Sequence, residues 1–335
     1  MPAMIEGPAA PPPSVFIMGA GVVGTALATR LVRAGVPVRG LHGRQVELPD
    51  DAGGSSGGVG GGVGVVGSTG EIPPVLSESD VVIIAVRDDR ISEVAARLVR
   101  ERRLRPGQVL LHTSGANPAR TILAPAVAHV RAVGTLHPLV SFADARVAVE
   151  GLDEIAFGIE GDEPARALAQ QIVRALGARA VMLEAENLAL YHAGAVIASN
   201  YVVAMADTAR SLLVKAGVPA EEALPVLIPL LASVVQNLAQ VGLPGALTGP
   251  VERGDVTVVE RHLGALAARA PELVELYRLV GRDVLRLART KAGQTKAGQT
   301  KSGMDPASAA RLEALFSGAA TVAPTDATGG HEPGA

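Results

Sequence analysis

Through its first half the chain alternates short apolar runs with stretches that are apolar at helical spacing. Val15–Met18 is a four-residue apolar run, and Thr25-Ala-Leu-Ala-Thr-Arg-Leu-Val follows it with helical periodicity, stopping near Ala34-Gly35. Val36–Leu41 predicts a second strand. Asp80–Val86 is a continuous apolar run of the kind found in a sheet buried on both faces. A helix over Ile91–Arg102, a strand at Val109–His112, a helix over Pro118–Val127 and a strand at Ala132–Leu136 follow. Ile155–Ile159, a helix over Glu163–Leu176 and Arg179–Leu183 complete an alternation that predicts a mainly parallel sheet covered by helices.

From Glu186 the pattern changes to long helices. Asn187–Gly217 would span about 45 Å if wholly helical. It is apolar nearly all round and is therefore expected to be buried, against other helices and a second subunit. Pro219–Val241 predicts one or two helices interrupted by Pro225 and Pro229, and a loop through Asp255 follows. Further helices are predicted over Val256–Ala268 and Glu272–Ala288. Lys291–Gly303, a near-repeat of Lys-Ala-Gly-Gln-Thr, predicts a low-complexity linker. Asp305 and Pro306 then predict the start of a last helix that ends at Gly318.

Between the first strand and first helix lies Gly19-Ala20-Gly21-Val22-Val23-Gly24, a G-x-G-x-x-G turn in the order a dinucleotide site needs. Gly19 permits the tight turn, Gly21 lets the backbone approach a pyrophosphate, and Gly24 lets helix and strand pack closely. The helix start offers free N–H groups and a positive dipole end to phosphates. About twenty residues on, an NAD site places an acid on the ribose, but Leu41-His42-Gly43-Arg44 contains none. Arg44, with His42, suits a 2′-phosphate, which makes NADP the expected cofactor and NAD the less favoured one. A solvated Arg44 is the alternative. One charge-assisted contact of roughly 1.5–3 kcal/mol corresponds to a preference of about ten- to hundredfold.

Composition removes several classes. Hydrophobic residues make up 48% and aromatics 2%, so the core must be built from Val, Leu, Ala and Ile. The net charge of −3 offers no attraction to nucleic acid or an anionic membrane. With no cysteine, disulfides, thiolate metal sites and a Cys nucleophile are excluded, and no His/Asp/Glu set has metal spacing. No run of 18 apolar residues suggests a membrane span. The Pro/Ala-rich start is not a signal peptide, and a cytoplasmic protein is expected. The ten glycines between Asp51 and Gly70 oppose the helix expected there, leaving a loop with Val63–Val66 as a short third strand. No Gly-Lys-Ser/Thr follows, so this is no P-loop.

In open α/β sheets the ligand lies across the carboxyl ends of the strands. Val86 and Asp88 should therefore border the cofactor, although charges there are often only solvated. Two strands end in a histidine near a serine: His112-Thr113-Ser114-Gly115 and His137-Pro138-Leu139-Val140-Ser141. Such histidines serve either structure or chemistry.

Together these motifs resemble a known family. Gly19–Gly24, His112-Thr-Ser-Gly115, Leu136-His-Pro-Leu139 with Ser141-Phe142, Tyr191-His192 with Ala198-Ser-Asn-Tyr201, and Gly249-Pro250 with Arg253-Gly-Asp255 and His262 carry the resemblance. The chain is similar to the Rossmann-like and DUF2520 domain-containing proteins, within the 6-phosphogluconate dehydrogenase-like superfamily. Pyrroline-5-carboxylate reductase, ketopantoate reductase and the β-hydroxyacid dehydrogenases are relatives of that family. The resemblance implies an α/β Rossmann domain over 14–184 and an all-α C-terminal substrate and dimerisation domain over 185–318. Residues 1–13 are then a disordered leader and 319–335 a disordered tail. The glycine-rich stretch 53–70 and the insertion 291–303 depart from the family pattern.

The resemblance implies NADP-dependent reduction of a small carbonyl or imine substrate, in a homodimer joined through the helical domain. The hydroxyacid-reducing relatives carry a lysine four residues before an asparagine on the first interdomain helix. Here Asn200 is present but Val196 stands at the lysine position. His192 is the nearest replacement by type, its alternative being a histidine bonded within a helical core. At 100° per residue Ser199 falls within about 20° of His192 and Asn200 about 80° away. His192, Asn200 and His137 are the catalytic candidates. Ser114, Ser141, Ser199, Arg253 and Asp255 are the candidates for holding the substrate. Arg253 and Asp255 read either as a salt-bridged loop over the site or as a surface pair at a helix start. His262 reads as packing or cap chemistry on its helix, and His129 and His331 as solvent-facing. The missing lysine keeps open a non-catalytic NADP-binding sensor or scaffold, and the superfamily fold also admits a deazaflavin-dependent reductase.

Overall fold

The computed structural model describes residues 11–46, 66–141, 155–294 and 304–320. The strands are β1 (Val15–Met18), β2 (Val38–His42), β3 (Val66–Ser68), β4 (Val81–Ile84), β5 (Val109–His112), β6 (Ala132–Pro138), β7 (Ala156–Gly161) and β8 (Arg179–Met182). They form one eight-stranded sheet in the order β3-β2-β1-β4-β5-β6-β7-β8. Every neighbouring pair is parallel except β6 and β7. An α/β Rossmann domain followed by an all-α region is thus the observed architecture.

The sheet is a two-sided core because successive side chains point to opposite faces. Val15 and Ile17 pack with Leu27 and Leu31 of α1 (Val22–Arg33), and with Ile172 of the helix over Glu163–Ala175, on one face. Phe16 and Met18 pack on the other face with Ile91 and Leu98 of α2 (Asp88–Arg100). α2 begins three residues before the expected Ile91. Asp88 and Asp89 occupy its first turn, where carboxylates meet the positive end of the helix dipole. The helix expected over Pro118–Val127 is instead two short pieces, α3 (Ala119–Ile122) and a 3-10 turn over Ala124–His129 opened by Pro125. β3 forms two to three residues later than expected, against Gly40–His42, while residues 47–65 lie outside the described ones. The helix over Glu163–Ala175 is α4.

The long helix predicted over Asn187–Gly217 is divided at Ser199 into α5 (Leu188–Ala198) and α6 (Asn200–Lys215). Ser199 has φ −122° and ψ −77°, and its hydroxyl donates back to the Ala195 carbonyl at 2.7 Å. Such back-bonding competes with the helical ladder. The expected common face of His192 and Ser199 is therefore interrupted, because Ser199 is itself the break. Nor is this segment buried within the chain. α5 covers Leu188 and half-buries Tyr191 and His192, but Leu190 is 76% exposed and Ile197 58%.

The described residues form two compact units, one up to Tyr201 and one from Val202 onward, whereas composition changes at 185. The second unit holds α7 (Ala220–Ala223), α8 (Ile228–Val241), α9 (Pro250–Arg253), α10 (Val256–Arg269), α11 (Val274–Gln294) and α12 (Pro306–Ser317). Its core gathers Val259, Leu263, Leu285, Leu312, Leu315 and Phe316. Asp305 caps α12 as expected, accepting the Ala307 and Ser308 N–H groups. The linker expected at 291–303 begins as helix instead. Residues 291–294 continue α11, where Lys291 bonds the Leu247 carbonyl and pairs with Glu252. Residues 295–303 and the tail 321–335 lie outside the described ones.

Two helical stretches, Ala185–Lys215 and Ala220–Val241, are long and apolar enough to cross a membrane by length and composition, with mean hydropathy 1.4 and 1.6. This corrects the expectation that no such stretch exists. Alanine, leucine, valine and isoleucine raise the mean although polar residues interrupt every run.

Candidate active site

The β1–α1 turn is closed by contacts that only glycine permits. A Cβ on Gly19, whose φ is +122°, would lie 2.2 Å from the Ala85 carbonyl oxygen, and one on Gly24 would lie 1.7 Å from the Gly19 oxygen. Gly21 differs, because a Cβ there would meet nothing within 4 Å. Gly21 is the N-cap of α1, with no side-chain cap and no acid in the first turn. The free N–H groups of the helix start thus face open space of the kind a pyrophosphate fills. Ala20 and Val23 turn their side chains onto the core and Val22 is half-buried, leaving backbone as the lining of the turn. Val86 stands against Gly19 at the turn. Gly43 was not singled out from sequence, yet its bare Cα lets the end of β2 close on Ala20, 2.6 Å from where a Cβ would sit.

At the end of β2, Arg44 is exposed. His42 is 5% exposed and its Nδ1 is 3.0 Å from Ser68 Oγ. Burial, and then the Arg97 charge, hold His42 below the usual imidazole value. Of the two residues proposed for a 2′-phosphate, Arg44 has the free charge and His42 braces β3.

The carboxyl end of β5 carries a buried polar row. His112 (β5) is registered against Thr135 (β6), and Thr135 against Glu160 (β7). The Ser114 N–H lies 3.1 Å from His112 Nδ1, which must therefore be the acceptor. The ring hydrogen is then on Nε2, 3.1 Å from Thr135 Oγ1. The Thr135 hydroxyl donates in turn to Glu160 Oε2 at 3.0 Å, an oxygen that also accepts the Ala119 N–H. His112 is fully buried and is pushed down to about 3 by desolvation, then by the His137 charge. It is neutral, and its protons are assigned by its partners.

From that row hangs the loop after β5. The Ser114 hydroxyl donates to Asp88 Oδ2 at 2.6 Å, and Asn117 Nδ2 donates to both Ser114 Oγ and Asp88 Oδ2. Ser114 is 2% exposed, so its hydroxyl holds Asp88 and Asn117 together. Gly115, one residue on, packs against two imidazoles. A Cβ there would be 2.8 Å from His137 Nε2 and 2.8 Å from His192 Cδ2. The His137 and His192 ring centroids are 5.8 Å apart at 75°. On its other side His137 Nδ1 is 3.0 Å from the Tyr191 hydroxyl. Desolvation, then the His192 charge, lowers His137 to about 4, against an opposing pull from Asp88.

His137, His192, Ser114 and Asp88 are thus gathered around Gly115 at the carboxyl ends of β5 and β6. Ser141 is exposed at the end of its described segment, next to Phe142, which lies outside the described residues. Ser199, at the break, bonds the Ala195 carbonyl of α5 and the Asn200 side chain of α6, and Asn200 is exposed. In the second unit Arg253 is exposed and Asp255 caps α10, accepting the Val258 N–H at 3.3 Å. The salt-bridged loop considered for this pair is not formed among the described residues, because the Asp255 carboxylate is turned to the helix start. His262 is exposed and its Nδ1 lies 2.8 Å from the Tyr277 hydroxyl. Tyr191, Thr135, Glu160, Gly115 and Asn117 complete the site, and sequence reasoning gave none of them a role. Among the described residues no cluster of His, Asp and Glu could hold a metal.

Two family models match the chain: the Rossmann-like domain over residues 67–138 and the domain of unknown function DUF2520 over residues 155–284. No curated protein matches it. Solved structures share its fold. Protein TM1727 of Thermotoga maritima is 24% identical, with a TM-score of 0.61 over 83% of this chain and 99% of its own. BF3122 of Bacteroides fragilis, a candidate NADP oxidoreductase, is 24% identical, with a TM-score of 0.59 over 82% of this chain and 98% of its own. The pyrroline carboxylate reductase of Plasmodium falciparum, solved with NADP bound, is 13% identical, with a TM-score of 0.51 over 91% and 98%. At these identities the likeness is one of fold.

Two consequences of the buried row can be measured. Thr135→Val keeps the shape but leaves His112 Nε2–H and Glu160 Oε2 without that partner, so urea unfolding should show a loss of about 2–3 kcal/mol. His112 is neutral in the folded chain down to about 3 and starts from 6.5 when unfolded, so the unfolded state binds more protons between those values. Stability present above pH 6.5 is therefore lost as pH falls, by about 1.4 kcal/mol per pH unit for this one group. His112→Gln should flatten the acid limb by one proton, and an unchanged slope would count against the assignment.

Proposed function

We propose that this chain, a Rossmann-like domain followed by a DUF2520 domain, is an NADP-dependent oxidoreductase that reduces a small carbonyl or imine compound. The observation that carries the reading is the open, uncapped start of α1 at Gly21, held between the closed contacts of Gly19 and Gly24. The sheet edge that bears His137 and His192 lies in the same unit. The backbone of Gly19–Gly24 would hold the pyrophosphate and Arg44 the 2′-phosphate. The NADP in the Plasmodium reductase supports that cofactor class. When bound, the nicotinamide supplies a hydride to the substrate carbon.

The chain's own residues must then orient the substrate and deliver one proton to its oxygen or nitrogen, which gives the alcohol or amine. A group at about 4, as His137 is, carries a proton in only about one molecule in a thousand at pH 7. His137 therefore orients the substrate, and His192 beside it moves the proton. Val196, where hydroxyacid-reducing relatives carry lysine, favours a second reading: a sensor that binds NADP without turning anything over.

Calorimetry with NADPH and NADH, followed by NADPH oxidation across ketoacids and cyclic imines, tests both readings. We expect NADPH to bind more tightly than NADH by about ten- to hundredfold, with Arg44→Ala removing most of the difference. Gly21→Ala should fold normally, since its Cβ meets nothing, yet lose at least about tenfold in NADPH affinity because the methyl takes the phosphate's place. No uptake of either nucleotide by folded protein sinks both readings. Uptake without turnover, unaffected by His192→Ala, leaves the sensor.

The exposed apolar residues of the second unit fit a second copy of the chain. On α8 Val235 is 67% exposed, Val241 61%, Leu230 60% and Ile228 53%. At 100° per residue Leu230, Val234, Leu238 and Val241 fall on one side of α8 with Val235 at its flank, and an exposed apolar face of this kind is rare on a free surface. Sedimentation should give a dimer, and Val235→Glu should shift it toward monomer with the fold retained. A monomer at high concentration in the unchanged protein rules the dimer out.

A further inference from the structure

We propose that Tyr191 is a positioning residue that fixes His137 as the neutral Nε2–H tautomer. His137 then meets the substrate as a hydrogen-bond donor, and the site selects the oxygen of a ketone or aldehyde over a protonated imine. This rests on the reductase reading above and narrows its substrate class.

The geometry begins with a glycine. In the antiparallel pair of β6 and β7, Gly158 stands directly opposite His137. A Cβ on Gly158 would lie 2.7 Å from the Tyr191 hydroxyl oxygen and 2.9 Å from Cζ. The bare Cα therefore lets the phenol of α5 lie over β7 and reach the neighbouring strand, where its oxygen is 3.0 Å from His137 Nδ1. The two rings meet edge to face, with centroids 5.6 Å apart at 86°. Any larger residue at 158 would lift the phenol away. The pair Gly158 and Tyr191 works as one device for reaching that nitrogen.

The direction of the shared proton follows from acidity. Burial raises Tyr191 above the usual phenol value, against an opposing effect of the Gly158 backbone, so the phenol keeps its proton. His137 is neutral at physiological pH. Between a neutral phenol and a neutral imidazole, the phenol is the stronger acid and donates, leaving Nδ1 as acceptor. The one ring hydrogen is then on Nε2, which is turned toward Gly115 and His192. The charged or titratable groups that bear on His137 are His192, Asp88, Tyr191 and, from β5, His112.

A neutral N–H fixed in place suits one kind of partner. As a carbonyl carbon is reduced, negative charge grows on its oxygen, and a preorganised donor stabilises that charge. A protonated imine has no lone pair on nitrogen and begins with a positive charge, so the same donor gives it nothing. Tyr191 touches neither reactant and acts only by deciding which nitrogen of His137 carries the hydrogen.

Histidine-selective 15N labelling tests this on the resting protein, with His137 assigned through His137→Gln. We expect Nδ1 of His137 to show the unprotonated shift and Nε2 the protonated one between pH 5 and 8. In Tyr191→Phe the preference should relax toward a mixture and the titration midpoint should rise. A wild-type His137 carrying its hydrogen on Nδ1, or shifts unmoved in Tyr191→Phe, overturns the proposal without recourse to any variant's activity. With ketone substrates, Tyr191→Phe should lower kcat by about tenfold, the equivalent of one lost hydrogen bond, while NADPH affinity stays within about twofold. Cyclic imines turned over in preference to ketones by the unchanged protein overturn the selection. Absence of nucleotide binding sinks the reductase reading instead, and the tautomer measurement distinguishes the two failures.

Discussion

Three side chains that do not belong in an apolar sheet decide how its working edge is built. His112, Thr135 and Glu160 sit side by side on neighbouring strands, all but sealed from solvent. Burying such groups costs several kcal/mol unless each finds a partner. Here each does, and the order of donors is forced from the Ser114 end, because a backbone N–H can only give, so His112 Nδ1 accepts and its Nε2 carries the ring hydrogen. Ser114 N–H gives to His112, His112 to Thr135, and Thr135 to Glu160. The last acceptor also receives Ala119 N–H at the start of α3. The row ties β5, β6 and β7 to both ends of the connection that leads from β5 into α3. Without it the Ser114–Asn117 loop has no reason to sit where it holds Asp88.

From that anchor the remaining contacts follow by exclusion of side chains. Gly115 is bare, so two imidazoles close over it; Gly158 is bare, so a phenol crosses it. Gly43 lets β2 end against the glycine turn, and Gly134 lets the Ala165 methyl of α4 approach β6, 2.9 Å from where a Cβ would be. The chain is poor in aromatic residues, with three tyrosines and four phenylalanines. Two of those tyrosines, Tyr191 and Tyr277, spend their hydroxyls on histidines. Close backbone approach does here what large rings do in other cores, and it transmits position tightly because packed interiors do not stretch.

How much of this is legible in the sequence depends on how local the cause is. The glycine turn, the strand at Val81–Ile84 and the cap at Asp305 are written in consecutive residues, and all three are found. The break at Ser199 is also local, but it depends on whether one hydroxyl bonds backward, which helical periodicity does not report. Asp255 looks like half of an ion pair two residues from Arg253, yet the nearest donor in the folded chain is the Val258 N–H. The site itself is mostly non-local. Thr135 lies 23 residues from His112, Glu160 a further 25, and Tyr191 54 residues from His137. Only strand order and register bring them together. A sequence reading that ends two strands in histidine near serine finds the right edge of the sheet but not the partners that decide what each histidine does.

Those partners give the two strand-end histidines opposite duties, although their surroundings look alike. Both are desolvated and both are held neutral. His112 has both nitrogens committed within the protein, one to a backbone N–H and one to Thr135, and so faces nothing outside it. His137 has only Nδ1 committed, with its other nitrogen at the Gly115 edge. The difference arises because His112 has the Thr135 hydroxyl beside it on β6 and the Ser114 N–H in the loop that follows β5, whereas β6 at His137 faces a glycine and a phenol reaching over it. A neutral imidazole with one end satisfied and the other free is already oriented before any ligand arrives. No reorganisation is then needed when charge develops next to it. Holding it so requires burial, which is why an edge otherwise open to solvent is roofed by α5 at Tyr191 and His192.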